Sequence, residues 1–185
     1  MISLKLIAPL ALASLVAFAT PRPATDTVVL VVRHAEKTGP SGDVPLSAAG
    51  EARAKALVSI AREAGVSAII TTQFQRTRLT AAPSAQALGI TGEVIEARGA
   101  VPDHARAIAD AVRSRFAGRT VVVVGHSNTV PAIVAALGGP KLPDICDDLY
   151  DDIFTVIVSP EGTMRVVHAK YGAPSPVTNA CGAMK

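Results

Sequence analysis

Apolar residues recur along the chain at two different spacings, one typical of strands and one typical of helices. Short runs of β-branched and aliphatic residues predict strands over 27–33, 66–71, 92–97 and 121–124. Helical spacing predicts helices between and after them, over 47–64, 74–88, 103–116 and 127–137. This βαβαβαβ order predicts a single three-layer α/β/α domain with a mainly parallel sheet. Two last strands, 153–158 and 163–169, predict a C-terminal antiparallel hairpin at the sheet edge.

Polar side chains appear where two of the apolar runs end. The first run stops at Arg33 and His34, and the fourth stops at Gly125 and His126. The carboxyl ends of parallel strands meet at one edge of a sheet, and ligands bind at that edge in open α/β folds. We therefore expect the two histidines to face one pocket.

The N-terminal residues have the pattern of a secretory signal peptide. Lys5 precedes an apolar stretch that ends in Ala17-Phe18-Ala19, and the stretch is short for a membrane span. The sequence therefore predicts a signal peptide over 1–19, with an uncleaved N-terminal anchor as the alternative. A linker over 20–26, a domain over 27–171 and a tail over 172–185 follow. We expect a secreted or periplasmic protein that meets the membrane only through its export signal.

The composition narrows the possible partners. The chain of 185 residues is 49% hydrophobic but only 3% aromatic, which predicts a core of valine, isoleucine, leucine and alanine. The net charge of +3 is not concentrated in a basic block, which argues against a nucleic acid partner. No histidines and cysteines are clustered at metal-ligand spacing, so we expect neither a zinc site nor another cofactor.

Three motifs in order resemble those of the histidine phosphatase superfamily, also called phosphoglycerate mutase-like. Arg33-His34-Ala35-Glu36 is similar to its Arg-His-Gly motif, with alanine in place of glycine. The segment 73–80 resembles the intervening motif, which supplies a second arginine, here Arg76. Gly125-His126-Ser127-Asn128 resembles the second histidine motif. The short separation of Arg76 from His126 leaves no room for a large helical cap. The chain is therefore most similar to the short, minimal members, which include bacterial phosphohistidine phosphatases.

The resemblance implies a metal-independent phosphatase that works through a phosphohistidine. His34 would be the nucleophile, and Arg33 and Arg76 would grip the phosphoryl oxygens through their planar guanidinium groups. His126 would stabilise the charge that develops during transfer. Ser127 and Asn128 either contact the phosphoryl group or cap the following helix. The substrate would be a small phosphorylated molecule or a phosphoprotein.

Two assignments remain open from the sequence. Glu36 either orients an arginine of the pocket or is a solvated loop charge. The general acid is expected at Glu96, at the end of the third strand, with Glu93, Asp103 and Glu36 as further candidates. Ser127 stands where the phytase-like branch has an aspartate. If no carboxyl group serves, substrates with good leaving groups are favoured. Three other polar residues, Arg78, His104 and His168, are expected to be surface or structural.

Alternatives to an exported phosphatase are a catalytically weak phosphate- or phosphoprotein-binding module on the same fold and a phosphomutase. Export argues against the mutase, because it separates the protein from glycolytic substrates. Cys146 and Cys181 lie outside the motifs, and an exported protein meets an oxidising compartment. We therefore expect these two cysteines to form a disulfide, with two incidental thiols as the alternative.

Overall fold

The computed structural model describes residues 25–176. The predicted signal peptide, most of the linker, the end of the tail and Cys181 lie outside those residues. In order, the helices and strands are β1 (Thr27–Arg33), α1 (Ala48–Glu63), β2 (Ala68–Thr71), α2 (Gln75–Leu88), β3 (Glu93–Val94), α3 (Val101–Arg115), β4 (Thr120–Gly125), α4 (Thr129–Ala136), β5 (Asp152–Val158) and β6 (Met164–Lys170).

The six strands form one sheet in the order β3-β2-β4-β1-β5-β6. β1 runs parallel to β4, in a register that ends with Arg33 opposite Gly125, and antiparallel to β5. β2 pairs in parallel with β4 and with β3, whereas β5 and β6 are antiparallel. The predicted α/β fold, with a mainly parallel sheet and a C-terminal antiparallel hairpin, is confirmed.

The core lies on both faces of β1, as the alternation of side chains along a strand requires. Val29 and Val31 pack in one apolar cluster with residues of α3 and α4. Leu30 and Val32 pack in a second cluster with residues of α1 and α2. All four side chains are almost completely buried, and each stabilises the fold by about 1.5–3 kcal/mol relative to an exposed position. The two clusters hold the end of β1 rigidly.

The helix boundaries differ from the prediction at a few places. Ser47, the first residue of the predicted range 47–64, is the N-cap of α1, since its Oγ accepts a hydrogen bond from the Gly50 amide at 3.2 Å. α2 runs continuously through Pro83, although proline lacks the amide donor of a helix interior. α4 begins two residues later than predicted, at Thr129. No helix within residues 25–176 is long and apolar enough to cross a membrane.

Candidate active site

A cavity of about 930 Å³ opens at the carboxyl ends of β1 and β4. It brings together six of the residues that the sequence singled out, namely Arg33, His34, Arg76, His126, Ser127 and Asn128. The rings of His34 and His126 are 5.4 Å apart between centroids and inclined at 65°. The two predicted histidines therefore face one pocket.

The position of His34 fixes its tautomer. Its amide donates to the Gly125 carbonyl at 2.9 Å, which ties the end of β1 to β4. Its Nδ1 lies 2.8 Å from the carbonyl oxygen of Ala35. Because a carbonyl oxygen only accepts, Nδ1 carries the proton and Nε2 keeps its lone pair. Burial lowers the pKa of His34 to about 3, and the nearby positive charges of Arg33 and Arg76 add to that effect. A neutral imidazole with a free Nε2 lone pair is the form that can attack phosphorus.

The tautomer of His126 follows from its two neighbours. Its Nδ1 lies 3.4 Å from a terminal nitrogen of Arg76, and its Nε2 lies 3.1 Å from the Thr72 hydroxyl. An arginine only donates, so Nδ1 accepts and the Nε2 proton is donated to Thr72. Burial lowers the pKa of His126 to about 3, with smaller contributions from coupling to His34 and from the positive charge of Arg76.

A chain of buried hydroxyls supports His126 from behind. The Thr72 hydroxyl lies 3.0 Å from the Thr77 hydroxyl, which in turn donates to the Phe74 carbonyl at 2.9 Å. Both threonine side chains are fully buried. Since the carbonyl at the end can only accept, every proton in the chain points away from His126. Thr72 was not among the predicted residues, and its only sequence signal is a pair of threonines at the end of β2.

Arg33 is anchored by a loop from the C-terminal half of the chain. One terminal nitrogen, Nη1, donates to the carbonyls of Cys146, Asp147 and Leu149 at 2.7, 3.0 and 2.9 Å. The guanidinium carbon also lies 4.1 Å from the ring centroid of Tyr150. Burial lowers the pKa of Arg33, and the neighbouring acidic groups oppose that effect. These contacts fix the plane of the guanidinium at the cavity wall.

Arg76 is held by weaker contacts. Its guanidinium carbon lies 4.3 Å from the centroid of the Phe74 ring, and Nη1 lies 3.4 Å from the Gly42 carbonyl and 3.8 Å from an Asp43 carboxylate oxygen. The Nε atoms of Arg33 and Arg76 are buried and have no hydrogen-bond partner among the described residues. Both arginines therefore keep N–H groups that an oxyanion could accept.

The alanine in the first motif is accommodated without distortion. Ala35 is completely buried, and its amide donates to the Thr80 hydroxyl at 2.9 Å. That hydroxyl donates to the Arg76 carbonyl at 2.7 Å, which ties α2 to the first motif. A side chain is not accommodated at Gly125, because a Cβ there would lie 2.8 Å from the Thr129 hydroxyl.

Glu36 does not line the cavity. Its carboxylate binds the guanidinium of Arg53 at 2.7 to 3.1 Å, which fastens α1 to the end of β1. Glu36 therefore neither contacts the cavity as a substrate-binding residue would, nor orients a pocket arginine, nor stands as a solvated loop charge, since both of its oxygens bind an arginine outside the cavity. Arg53 is itself buried and also donates to the Tyr171 carbonyl at 2.8 Å.

The predicted general acid also lies away from the cavity. β3 has only two residues, so Glu96 follows the strand and its half-exposed side chain pairs with Arg98. The two reserve candidates, Glu93 and Asp103, pair with arginines at the surface. Among the described acidic residues, those that line the cavity are Asp144, Asp147 and Asp148. The assignment of Glu96 as the acid remains a prediction without support from its position.

Three further expectations have mixed outcomes. His104 is 4% exposed and lines the cavity, so it is not a surface residue. Asn128 stands at the N-cap of α4 without a capping side-chain bond, while the Thr129 hydroxyl accepts from the His126 amide at 2.8 Å. Ser127 and Asn128 therefore remain available to a ligand in the cavity.

The predicted disulfide involves Cys181, which lies outside the described residues, and stays a prediction.

The model of the histidine phosphatase superfamily (branch 1) matches residues 29–98, which include the first histidine motif and Arg76. The match confirms the resemblance seen in the first two motifs, whereas the third motif, at 125–128, lies beyond the matched residues. The chain thus has the fold of the histidine phosphatase superfamily, and its two motif histidines and two motif arginines line one cavity of that fold.

Solved structures with this fold include two proteins named as phosphatases and a third, YhfR. The protein histidine phosphatase SixA, solved with tungstate, has a TM-score of 0.62 at 18% identity, over 77% of this chain and 96% of SixA. A mycobacterial glucosyl-3-phosphoglycerate phosphatase has a TM-score of 0.59 at 16% identity, over 80% of this chain and 99% of its own. YhfR of Bacillus stearothermophilus has a TM-score of 0.62 at 19% identity, over 76% and 95%. No curated protein matches the sequence.

Proposed function

We propose that the protein is a phosphatase that transfers a phosphoryl group from a phosphomonoester or phosphoramidate to His34 and then to water. The observation that carries this proposal is the tautomer of His34, whose Nε2 keeps a lone pair in a cavity that also presents two arginines and His126. The similarity to SixA, a protein histidine phosphatase, is consistent with it.

The reaction has two displacements. In the first, a bond forms between Nε2 of His34 and phosphorus while the bond to the leaving oxygen or nitrogen breaks, and the leaving group takes up a proton. In the second, water attacks phosphorus, the phosphorus–nitrogen bond breaks, and the electron pair returns to Nε2 as phosphate and a proton are released. Arg33, Arg76 and His126 stabilise the negative charge of the transferring group in both steps.

The supply of the leaving-group proton limits the choice of substrates. Glu96 lies away from the cavity, and the aspartates that line it are exposed at its wall. Substrates whose leaving groups need little protonation, such as phosphohistidine, acyl phosphates and aryl phosphates, should therefore react fastest.

A phosphoenzyme experiment tests the proposal. Enzyme mixed with labelled substrate and quenched in alkali should retain label that is stable to base and lost in acid, as a phosphohistidine is. His34→Ala should give no label and no turnover while still binding vanadate. His126→Ala should bind and react more weakly but still be labelled, because the attacking nitrogen remains. Substantial turnover by His34→Ala would refute the mechanism.

The same protein could instead bind phosphorylated ligands without turning them over, or transfer the group to a second hydroxyl as a mutase does. The position of Glu96 outside the cavity favours the weak-catalyst alternative over the mutase. Release of inorganic phosphate from p-nitrophenyl phosphate at many turnovers per enzyme supports the phosphatase. Tight binding of vanadate without turnover would instead support a module that binds phosphorylated ligands.

We further propose that the enzyme needs no metal ion, because two arginines supply the positive charge that phosphoryl transfer requires. Among the described residues, no three His, Cys, Asp or Glu side chains are grouped to hold a metal. Activity that survives dialysis against EDTA would support this proposal, and recovery only with added Mg²⁺ or Zn²⁺ would refute it.

Export and the disulfide are proposals from the sequence. Cleavage after the apolar N-terminal stretch would place the protein in an oxidising compartment, where Cys146 and Cys181 would pair. Closing that loop of about 35 residues would contribute roughly 3 to 4 kcal/mol to stability. Mass spectrometry of the protein from its native compartment tests both. An intact N-terminus with two thiols that react in denaturant would contradict them.

A further inference from the structure

The cavity wall beyond the phosphoryl site is acidic. Six side chains that are charged at neutral pH line the cavity, namely Arg33, Lys37, Arg76, Asp144, Asp147 and Asp148. A bound phosphoryl dianion would neutralise the two arginines. Lys37 then stands against Asp144 and Asp147 even when Asp148 is left out of the sum, so the wall around these two aspartates has an excess of negative charge.

The acidic part of the wall is held in a fixed position. Asp147 and Asp148 belong to the loop whose carbonyls accept from Arg33 Nη1, and one Asp147 carboxylate oxygen lies 3.8 Å from Arg33 Nη2. The aspartates are therefore presented beside the phosphoryl-binding arginine. Their placement does not depend on a long flexible side chain.

His104 supplies a second and independent feature of the same wall. Its Nδ1 lies 3.2 Å from the Glu96 carbonyl, so Nδ1 carries the proton and Nε2 is an acceptor. Nε2 is buried and has no hydrogen-bond partner among the described residues. A buried acceptor of this kind is costly to leave unpaired, and a ligand with N–H groups would satisfy it.

We propose that, among alkyl phosphomonoesters, the enzyme prefers those whose alcohol carries an ammonium group. The ammonium lies against the acidic loop and donates to His104, while the phosphoryl group lies between the arginines. A leaving group with a carboxylate, as in a phosphoglycerate, is disfavoured by the same wall. This inference rests on the proposed phosphatase activity and names the substrate class for that site.

The test compares kcat/KM for phosphoethanolamine, ethyl phosphate and 2-phosphoglycolate, with p-nitrophenyl phosphate as the reference. We expect phosphoethanolamine to exceed 2-phosphoglycolate by about tenfold or more, because each exposed carboxylate contributes a few-fold and the effect has opposite signs for the two esters. The preference should shrink in high salt, since screening weakens contacts between exposed charges.

Two variants distinguish the effect of the acidic wall on kcat/KM from the intrinsic reactivity of the esters. The double variant Asp144→Asn with Asp147→Asn, and separately His104→Phe, should each lower the ratio of phosphoethanolamine to ethyl phosphate several-fold. Asp110→Asn, which removes an exposed carboxylate on α3 outside the cavity lining, should leave the ratio unchanged. The intrinsic difference between the two esters cancels when variant and wild type are compared.

The outcomes are distinct. No turnover of p-nitrophenyl phosphate would overturn the proposed phosphatase, and this inference with it. Turnover of p-nitrophenyl phosphate together with equal kcat/KM for the three alkyl esters would overturn only the substrate class. The substrate class would also be overturned if neither the double aspartate variant nor His104→Phe lowers the ratio of kcat/KM for phosphoethanolamine to that for ethyl phosphate.

Discussion

Replacing Thr72 by valine removes one hydroxyl from behind His126 and leaves the branched shape of the side chain. Thr72 is fully buried, and its hydroxyl accepts the proton of His126 Nε2 at 3.1 Å. Valine leaves that ring N–H without an acceptor in a site that water does not reach. The Thr77 hydroxyl also loses the donor that lies 3.0 Å from it.

The size of the effect follows from the cost of an unpaired buried donor, about 1–3 kcal/mol. His126 must be held in place to stabilise the transferring phosphoryl group, so we expect this cost to appear in the transition state. At about 1.4 kcal/mol for each tenfold change in rate, kcat/KM should fall by roughly 5- to 150-fold. The fall should be mainly in kcat, because the arginines that bind the phosphoryl group are unchanged.

The assay is steady-state hydrolysis of p-nitrophenyl phosphate at pH 7, with thermal unfolding measured in parallel to confirm a folded protein. Thr71→Val is the matched control. Thr71 is the neighbouring buried threonine, and the structure shows no hydrogen bond from its side chain to another described residue. Equal kcat/KM losses in the two variants would refute the role of Thr72 as the support of His126.

Three further variants or conditions test other contacts. Arg76→Lys should lower kcat/KM by about tenfold or more with the fold intact, because lysine cannot offer two donors in one plane. The control Arg78→Lys, at an exposed position, should change kcat/KM little. Equal losses in the two variants would mean that the second arginine has been misassigned. Burial holds the pKa of His34 and of His126 near 3, while an unfolded histidine titrates near 6.5, so the unfolded chain binds more protons between these values. Urea titrations should therefore show that the unfolding free energy decreases as pH falls from about 6.5 towards 3, by up to about 1.4 kcal/mol per pH unit for each histidine. An unfolding free energy that does not change over this pH range would contradict the burial of neutral rings. Gly50→Ala would place a Cβ 2.1 Å from the carbonyl oxygen of Glu36. Calorimetry should therefore show that the unfolding free energy falls by about 1–3 kcal/mol or more. An unchanged melting temperature would mean that α1 can move away from Glu36 without cost.

The sequence predicts the fold and the placement of the two histidines well because both depend on local patterns. The apolar runs of β1 and β4 end at His34 and His126, and parallel neighbours necessarily bring such ends together. The same patterns locate Ser47 as the cap of α1. Each of these features can be read from a few consecutive residues.

Other parts of the site depend on contacts that no local pattern specifies. The carbonyls that hold Arg33 come from an irregular loop whose composition does not determine its path. Glu96 was expected at the end of a strand, but the edge strand β3 pairs only through Glu93 and Val94 and ends before reaching it. Thr72 gains its role only because β2 lies beside β4, which carries His126.

The anchoring of Arg33 has a consequence for synthesis of the protein. The three carbonyls that hold its guanidinium lie 113 to 116 residues further along the chain. A nascent chain that has emerged only through the segment matched by the superfamily model contains His34 and both arginines, yet it lacks His126 and the loop that orients Arg33. Phosphoryl transfer should therefore begin only when β5, the antiparallel neighbour of β1, has joined the sheet. Until then the ribosome-bound polypeptide carries the proposed nucleophile, His34, without a working catalyst.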